Sequence, residues 1–192
     1  MVLNKTQREK NLEKRERFSY ERVFCFFCSN NLIYIHIPKC GTSSVKKMFK
    51  LKTEDYFKYK TLNPDLKKKY KMFTVIRNPL DRFVSSFFEL LERKRSKENN
   101  STIMNKLRTK LLSLIKRNKK KEFHKSNNLI KNFKIFLEIV EEDFFDIHVF
   151  PQSKFLENME IDYYLRLEHL DNDFKNKLNI NIKVEHLRSS DS

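Results

Sequence analysis

Glycine is almost missing from this chain: Gly41 is the only one among 192 residues. A Walker-type phosphate loop needs an earlier glycine, and a lysine directly after the second one. Here no first glycine exists and Lys39 precedes Gly41, so that motif is excluded. Cysteine is scarce as well. Cys25, Cys28 and Cys40 are an odd number and define no disulfide framework. The Cys25-x-x-Cys28 pair has no second such pair or neighbouring histidine pair to complete a zinc site, and reads as two ordinary cysteines in an apolar stretch. No metal-ligand constellation is evident elsewhere. Long apolar runs are absent too: none approaches the roughly 20 residues of a membrane-spanning helix, and the polar N-terminus lacks the apolar centre of a signal peptide. A soluble, cytoplasmic protein is therefore expected. Acidic residues are in the minority, 25 against 41 Lys and Arg, for a net charge of +16. Such a balance favours an anionic partner without choosing among nucleic acid, acidic glycan, anionic membrane surface and nucleotide. The length suits one domain with a single core.

What is present centres on Leu32-Ile33-Tyr34-Ile35-His36-Ile37-Pro38-Lys39-Cys40-Gly41-Thr42-Ser43-Ser44-Val45. The apolar opening reads as a buried strand over 34–37, Pro38 breaks it, and the small hydroxyl residues suit the start of a helix over 42–49. The single residue without a Cβ is placed in the loop between them, where positive φ or close approach to a ligand is wanted. A helix N-terminus offers unsatisfied N–H groups and partial positive charge, so such a loop can hold a phosphate or similar anion. Thr42, Ser43 and Ser44 add hydroxyl donors and Lys39 a full charge. An ordinary capped turn has the same local signature.

A second stretch bears on that choice. Phe73-Thr74-Val75-Ile76-Arg77-Asn78-Pro79-Leu80-Asp81-Arg82-Phe83-Val84-Ser85-Ser86-Phe87-Phe88 repeats the strand, loop and helix design, with Pro79 suited to a first helical turn. Arg77 then falls at the carboxyl end of a strand over 73–76, on the sheet edge where open α/β folds bind ligands.

Together the two stretches resemble the cofactor motifs of sulfotransferases that use 3′-phosphoadenosine 5′-phosphosulfate (PAPS). The likeness is greatest to the carbohydrate sulfotransferases of the Golgi membrane and their bacterial relatives. The resemblance implies an α/β, P-loop-like three-layer fold, with a short parallel sheet flanked by helices. It implies a 5′-phosphosulfate loop made of Pro38, Lys39, Cys40, Gly41, Thr42, Ser43 and Ser44, and a 3′-phosphate motif in which Arg77 and Ser85 hold the phosphate. Ser86 is a neighbour able to substitute for Ser85.

Elsewhere, residues 1–30 read as a basic N-terminal arm or helix, and 31–192 as the sulfotransferase-like domain. A helix from Pro79 carries Phe83, Phe87, Leu90 and Leu91 on one face. Residues 93–128 are the most basic region, with nine Lys or Arg and one Glu between Lys106 and Lys125. They form either a solvent-facing helix or a surface for an acidic acceptor. Asn128 or Asn132 is a candidate cap for an amphipathic helix with Phe133, Phe136, Leu137 and Val140. His148, Pro151 and Gln152 match the family's His-x-x-Pro-Gln segment. Residues 161–170 match its strand ending in Glu-x-Leu, with Glu168 as the acid, and a helix follows over 171–178. His186-Leu187-Arg188-Ser189-Ser190 is similar to a late family segment that closes over the nucleotide, yet the chain stops at Ser192, short of the usual tail.

Sulfuryl transfer, like phosphoryl transfer, rests on positioning and charge stabilisation. Lys39 and the 40–44 backbone suit the departing phosphate, Arg77 and Ser85 select the 3′-phosphate, and no metal is required. His148 is the first choice of base for the acceptor hydroxyl, because imidazole titrates near neutral pH. Glu168 is either a second base or a group that orients Lys39 or Arg166. The leading expectation is a PAPS-dependent sulfotransferase acting on a hydroxyl, with a glycan the favoured acceptor over a small alcohol. An ATP-using phosphotransferase and a basic nucleic-acid-binding protein are the alternatives; no recognised DNA or RNA motif supports the latter.

Overall fold

The structure, a computed structural model, describes residues 23–92, 113, 126–143 and 147–181. The basic arm over 1–22, nearly all of the basic region over 93–128, and the late segment around His186 lie outside the described residues. The described residues fall in two compact units, 23–82 with 151–181 and the described part of 83–150.

The first unit is built on a five-stranded sheet: β1 (Phe24–Cys28), β2 (Leu32–Ile35), β3 (Phe57–Lys58), β4 (Lys71–Ile76) and β5 (Tyr163–Arg166), in the order β3-β1-β2-β4-β5. β2 and β4 are apolar on both faces, and every residue of β2 is buried. Strands covered on both sides belong at a sheet centre. β2 pairs parallel with β4, Ile33 opposite Met72 and Ile35 opposite Thr74, and β4 pairs parallel with β5, ending with Ile76 opposite Arg166. The Thr74 hydroxyl donates to the Ile35 carbonyl at 2.9 Å, adding a side-chain tie between the two central strands. Phe73 packs against Tyr34, Phe49 and Phe174 with ring centroids 5.3, 5.8 and 5.8 Å away. Those rings form the centre of the core. The sheet is mixed, parallel from β2 through β4 to β5, and with its flanking helices it agrees with the P-loop-like α/β architecture implied by the motifs.

The amino-terminal boundary differs from expectation. Residues 24–28, assigned from sequence to the arm, form β1, antiparallel to both β2 and β3. Asn30 and Asn31 make the connecting turn with φ of 60° and 54°, a conformation asparagine tolerates and tight hairpins demand. Cys25 and Cys28 are three apart on this strand and so point to opposite faces. Both are buried, and burial pushes the Cys28 thiol up to about 12. The pair is structural, in line with the reading as ordinary cysteines.

The helices of this unit are α1 (Thr42–Met48), α2 (Pro64–Lys69), α5 (Gln152–Phe155) and α6 (Leu170–Leu178). α6 is docked through Asp173. Its buried carboxylate accepts from the Arg166 backbone N–H at 2.8 Å, from Arg166 Nη2 and Nε at 2.8 and 3.1 Å, and from Lys177 Nζ at 3.3 Å. The carboxylate thus ties the end of β5 to the helix that follows.

The second unit contains the C-terminal part of α3 (Pro79–Glu92), α4 (Ser126–Asp143) and a turn over 147–150. Phe83 and Phe87 of α3 meet Phe133 and Phe136 of α4, with Phe83 and Phe136 centroids 5.0 Å apart. Asn128 and Asn132, the candidate caps, both lie inside α4, which begins at Ser126. Leu137, expected on the apolar face, is 43% exposed while Phe136 is fully buried.

Arg166 holds the Asp173 carboxyl well below the usual carboxylate range, against the opposing effect of burial. A depressed folded-state value contributes stability that is present above the unfolded value of about 4 and is lost as pH falls through the folded one. Asp173→Asn is therefore expected to lower unfolding free energy by about 2 kcal/mol at pH 7, with the deficit shrinking below about pH 4. Denaturant titrations at several pH values measure it, and a deficit that does not change with pH contradicts the assignment.

Candidate active site

Parallel pairing of β2, β4 and β5 brings three carboxyl ends to one sheet edge, and the loops that leave them build the site within the first unit. After β2 the chain turns through Pro38, Lys39 and Cys40 to Gly41. Lys39 and Gly41 both have left-handed backbone, φ 68° and 72°. Gly41 is the N-cap of α1, no side chain caps the helix, and no acidic residue occupies its first turn. The amides at the start of an α-helix have no intrahelical partner, so those of residues 42–44 are donors of the kind that hold anions. A capping side chain, the competing reading of this loop, is absent. Thr42 is half-buried, its hydroxyl donating weakly to the Ile37 carbonyl at 3.5 Å; Ser43 is exposed and Ser44 buried.

A side chain at position 41 meets a second obstacle. An added Cβ falls 2.4 Å from Leu167 Cδ1, in the 3-10 turn Leu167–His169 after β5. The glycine therefore serves both the turn and the close packing of the neighbouring loop.

Arg77 follows β4 directly. One guanidinium nitrogen, Nη1, reaches the Lys39 carbonyl at 3.5 Å, so the lysine-bearing turn and the arginine adjoin. Arg82, which sequence reasoning had not singled out for the site, is buried, and its Nε donates to the Pro38 carbonyl at 2.8 Å. Its guanidinium lies over the Phe155 ring, 5.7 Å from the centroid. Burial lowers its proton affinity, but guanidinium remains charged at neutral pH. Three cationic side chains, Lys39, Arg77 and Arg82, are thus held by or against one short loop.

Cys40 is fully buried. Burial pushes its thiol up to about 11, outweighing the downward pull of Arg82 and Arg77. Desolvation wins over the local positive charge, and at neutral pH the group is a thiol that donates to Gln152 Oε1 at 3.1 Å.

Gln152 was legible only as part of a motif, and its position is central. Oε1 also accepts from the Arg77 N–H at 2.9 Å, and Nε2 donates to the Arg77 carbonyl at 2.7 Å. Glu168 is exposed at the same edge, where its Oε1 accepts from the Asn78 N–H at 2.7 Å. Asn78 Oδ1 in turn accepts from the Leu80 N–H at 2.9 Å, capping α3 with Pro79 in the first turn, as the sequence indicated. Arg166 is oriented chiefly by Asp173 rather than by Glu168.

The structure therefore brings residues 38–44, Arg77 and Glu168 together in the first unit. Ser85 and His148 belong to the second unit. Ser85 is half-buried on α3, and His148 is half-buried in the 147–150 turn, its carbonyl accepting from Ser86 Oγ at 2.7 Å. Among the described residues no group of His, Cys, Asp and Glu side chains could hold a metal ion, and no helix is long and apolar enough to cross a membrane.

A mixed α/β unit with flanking helices, a parallel β2-β4-β5 core and a strand-to-helix loop at its edge has the P-loop-like architecture. The profile of the sulfotransferase family matches residues 23–190, and the chain belongs to that family. It is thereby a transferase of sulfuryl groups. Searches of curated proteins and of solved structures found no match.

Gly41→Ala puts a side chain at positive φ, which costs about 1–2 kcal/mol, and Leu167 must swing away. A fall in Tm of several degrees is expected from that loss for a chain of this size. An unchanged Tm in calorimetry contradicts this account of the loop.

Proposed function

We propose that the protein transfers the sulfuryl group of PAPS to a hydroxyl, with carbohydrate as the acceptor class. The observation that carries this reading is the approach of Arg77 Nη1 to the Lys39 carbonyl at 3.5 Å. It sets the 38–44 loop and the turn at Arg77 side by side, which supports a nucleotide with phosphates at both its 5′ and 3′ positions. The fit of the loop supports the same donor: its helix begins at a glycine with neither cap nor acidic residue in the first turn, an arrangement selective for negative charge.

In this reading, residues 38–44 bind the 5′-phosphosulfate, and the α1 amides with Lys39 stabilise charge as it builds on the departing phosphate oxygen. Arg77 and Ser85 bind the 3′-phosphate. His148 accepts the proton of the attacking hydroxyl. Glu168, one oxygen of which is engaged by the Asn78 amide, holds the turn after Arg77 in place and is the weaker candidate for a base. The assignment of His148 and Ser85 rests on their match to the family motifs. Carbohydrate as acceptor rests on the likeness to carbohydrate sulfotransferases.

Adenosine 3′,5′-bisphosphate at about one hundred times its Kd is expected to stabilise the protein by about 2.7 kcal/mol, while ATP at the same concentration has little effect. Preference for ATP points to a phosphotransferase instead. Salt-sensitive oligonucleotide binding with no response to either nucleotide points to a nucleic-acid-binding protein. Arg77→Ala is expected to remove the preference for a 3′-phosphate, at a cost of about 2 kcal/mol in bisphosphate affinity; unchanged selectivity takes that residue out of the site. His148→Ala is expected to lower turnover by about 10²–10⁴ with nucleotide affinity intact, read from transfer of labelled sulfate to a glycan panel. Full turnover in that variant removes it as the base.

A further inference from the structure

We propose that Gln152 is the positioning residue of the donor site, its amide setting the distance between the 38–44 loop and Arg77. The role rests on the reading of these two segments as the two ends of one nucleotide site.

Pairing of β4 with β5 ends at Ile76 opposite Arg166, so the backbone of Arg77 lies just past the last ladder position. Gln152 supplies there what a neighbouring strand no longer does: its Oε1 takes the Arg77 N–H at 2.9 Å and its Nε2 gives to the Arg77 carbonyl at 2.7 Å. A primary amide both accepts and donates in one plane, as a peptide does. The same Oε1 accepts from the Cys40 thiol at 3.1 Å, which fixes the residue between Lys39 and Gly41. One side chain thereby holds the residue bearing the guanidinium and the residue at the middle of the anion loop.

The platform is itself fastened to the loop from below. Gln152 opens the four-residue helix α5, and the last residue of that helix, Phe155, is buried beneath the Arg82 guanidinium, whose Nε holds the Pro38 carbonyl. Residues 38 and 40 are thus both set from α5, one through Arg82 and one directly. A displacement of the amide moves the loop and Arg77 relative to each other while leaving the sheet pairing alone. Its loss is therefore expected in the binding of a ligand that spans both segments more than in overall stability.

Gln152→Glu separates positioning from packing. It keeps the shape and the acceptor but loses the donor to the Arg77 carbonyl, which then faces a carboxylate. Affinity for adenosine 3′,5′-bisphosphate and for adenosine 5′-phosphate is measured by calorimetry at pH 7.5 in wild type, Gln152→Glu and Gln152→Met, with melting curves alongside. The Met variant adds no charge and guards against a folding defect in the other. The expected result is a loss of about tenfold or more in bisphosphate affinity for both variants, with a smaller loss for the monophosphate. Wild-type affinity in either variant, or equal losses for both nucleotides in both variants, overturns the positioning role. Failure of the wild type itself to bind the bisphosphate overturns the donor reading, and this role with it.

Discussion

Everything at the site depends on the parallel pairing of β2 with β4. In that register Ile35 stands opposite Thr74, so both strands end at one edge, and the loops that follow carry Lys39 on one side and Arg77 on the other. A parallel neighbour cannot be joined by a tight hairpin. The chain between the strands makes the crossover through α1, β3 and α2, with β3 paired to β1 on the far side of β2 from β4. The start of α1 at this edge follows from the direction of β2.

The loop accepts a local cost to keep the start of α1 uncapped. Lys39 takes a left-handed conformation without being glycine, which is unfavourable for a residue with a Cβ. Carbonyl acceptors distribute the restraint: Arg82 holds Pro38, Arg77 reaches Lys39, and Gln152 holds Cys40. The two guanidinium groups thus serve the backbone in this structure, and in the proposed reading Arg77, together with Lys39, also meets the nucleotide. The acidic groups nearby, Asp173 and Glu168, are turned to other work, on Arg166 and on the Asn78 amide.

Local patterns made the central strands, the anion loop and the start of α3 legible, because each depends on neighbouring residues: an apolar run, a lone glycine, an Asn-Pro pair. β1 was missed because a five-residue apolar strand next to a charged segment looks like the end of that segment. The Asn30-Asn31 pair between two apolar runs was the available signal for a hairpin. The place of Gln152 could not be read, since its partners are 75 and 112 positions away and no periodicity records such contacts. Cys40 shows a different limit. The charges around it were visible in sequence, but the burial that overrides them is a property of the packed fold. In α4, Asn132 looks like a cap, yet the helix begins before it, because tertiary packing of Phe133 and Phe136 on Phe87 and Phe83 outweighs a local preference.

The most direct measurement is a crystal structure of the protein with adenosine 3′,5′-bisphosphate bound. The account predicts the 5′-phosphate on the amides of residues 41–44 with Lys39 beside it, and the 3′-phosphate on the Arg77 guanidinium, drawn away from the Lys39 carbonyl. A nucleotide bound away from this edge, or one that touches the loop while its 3′-phosphate lies clear of Arg77, contradicts it.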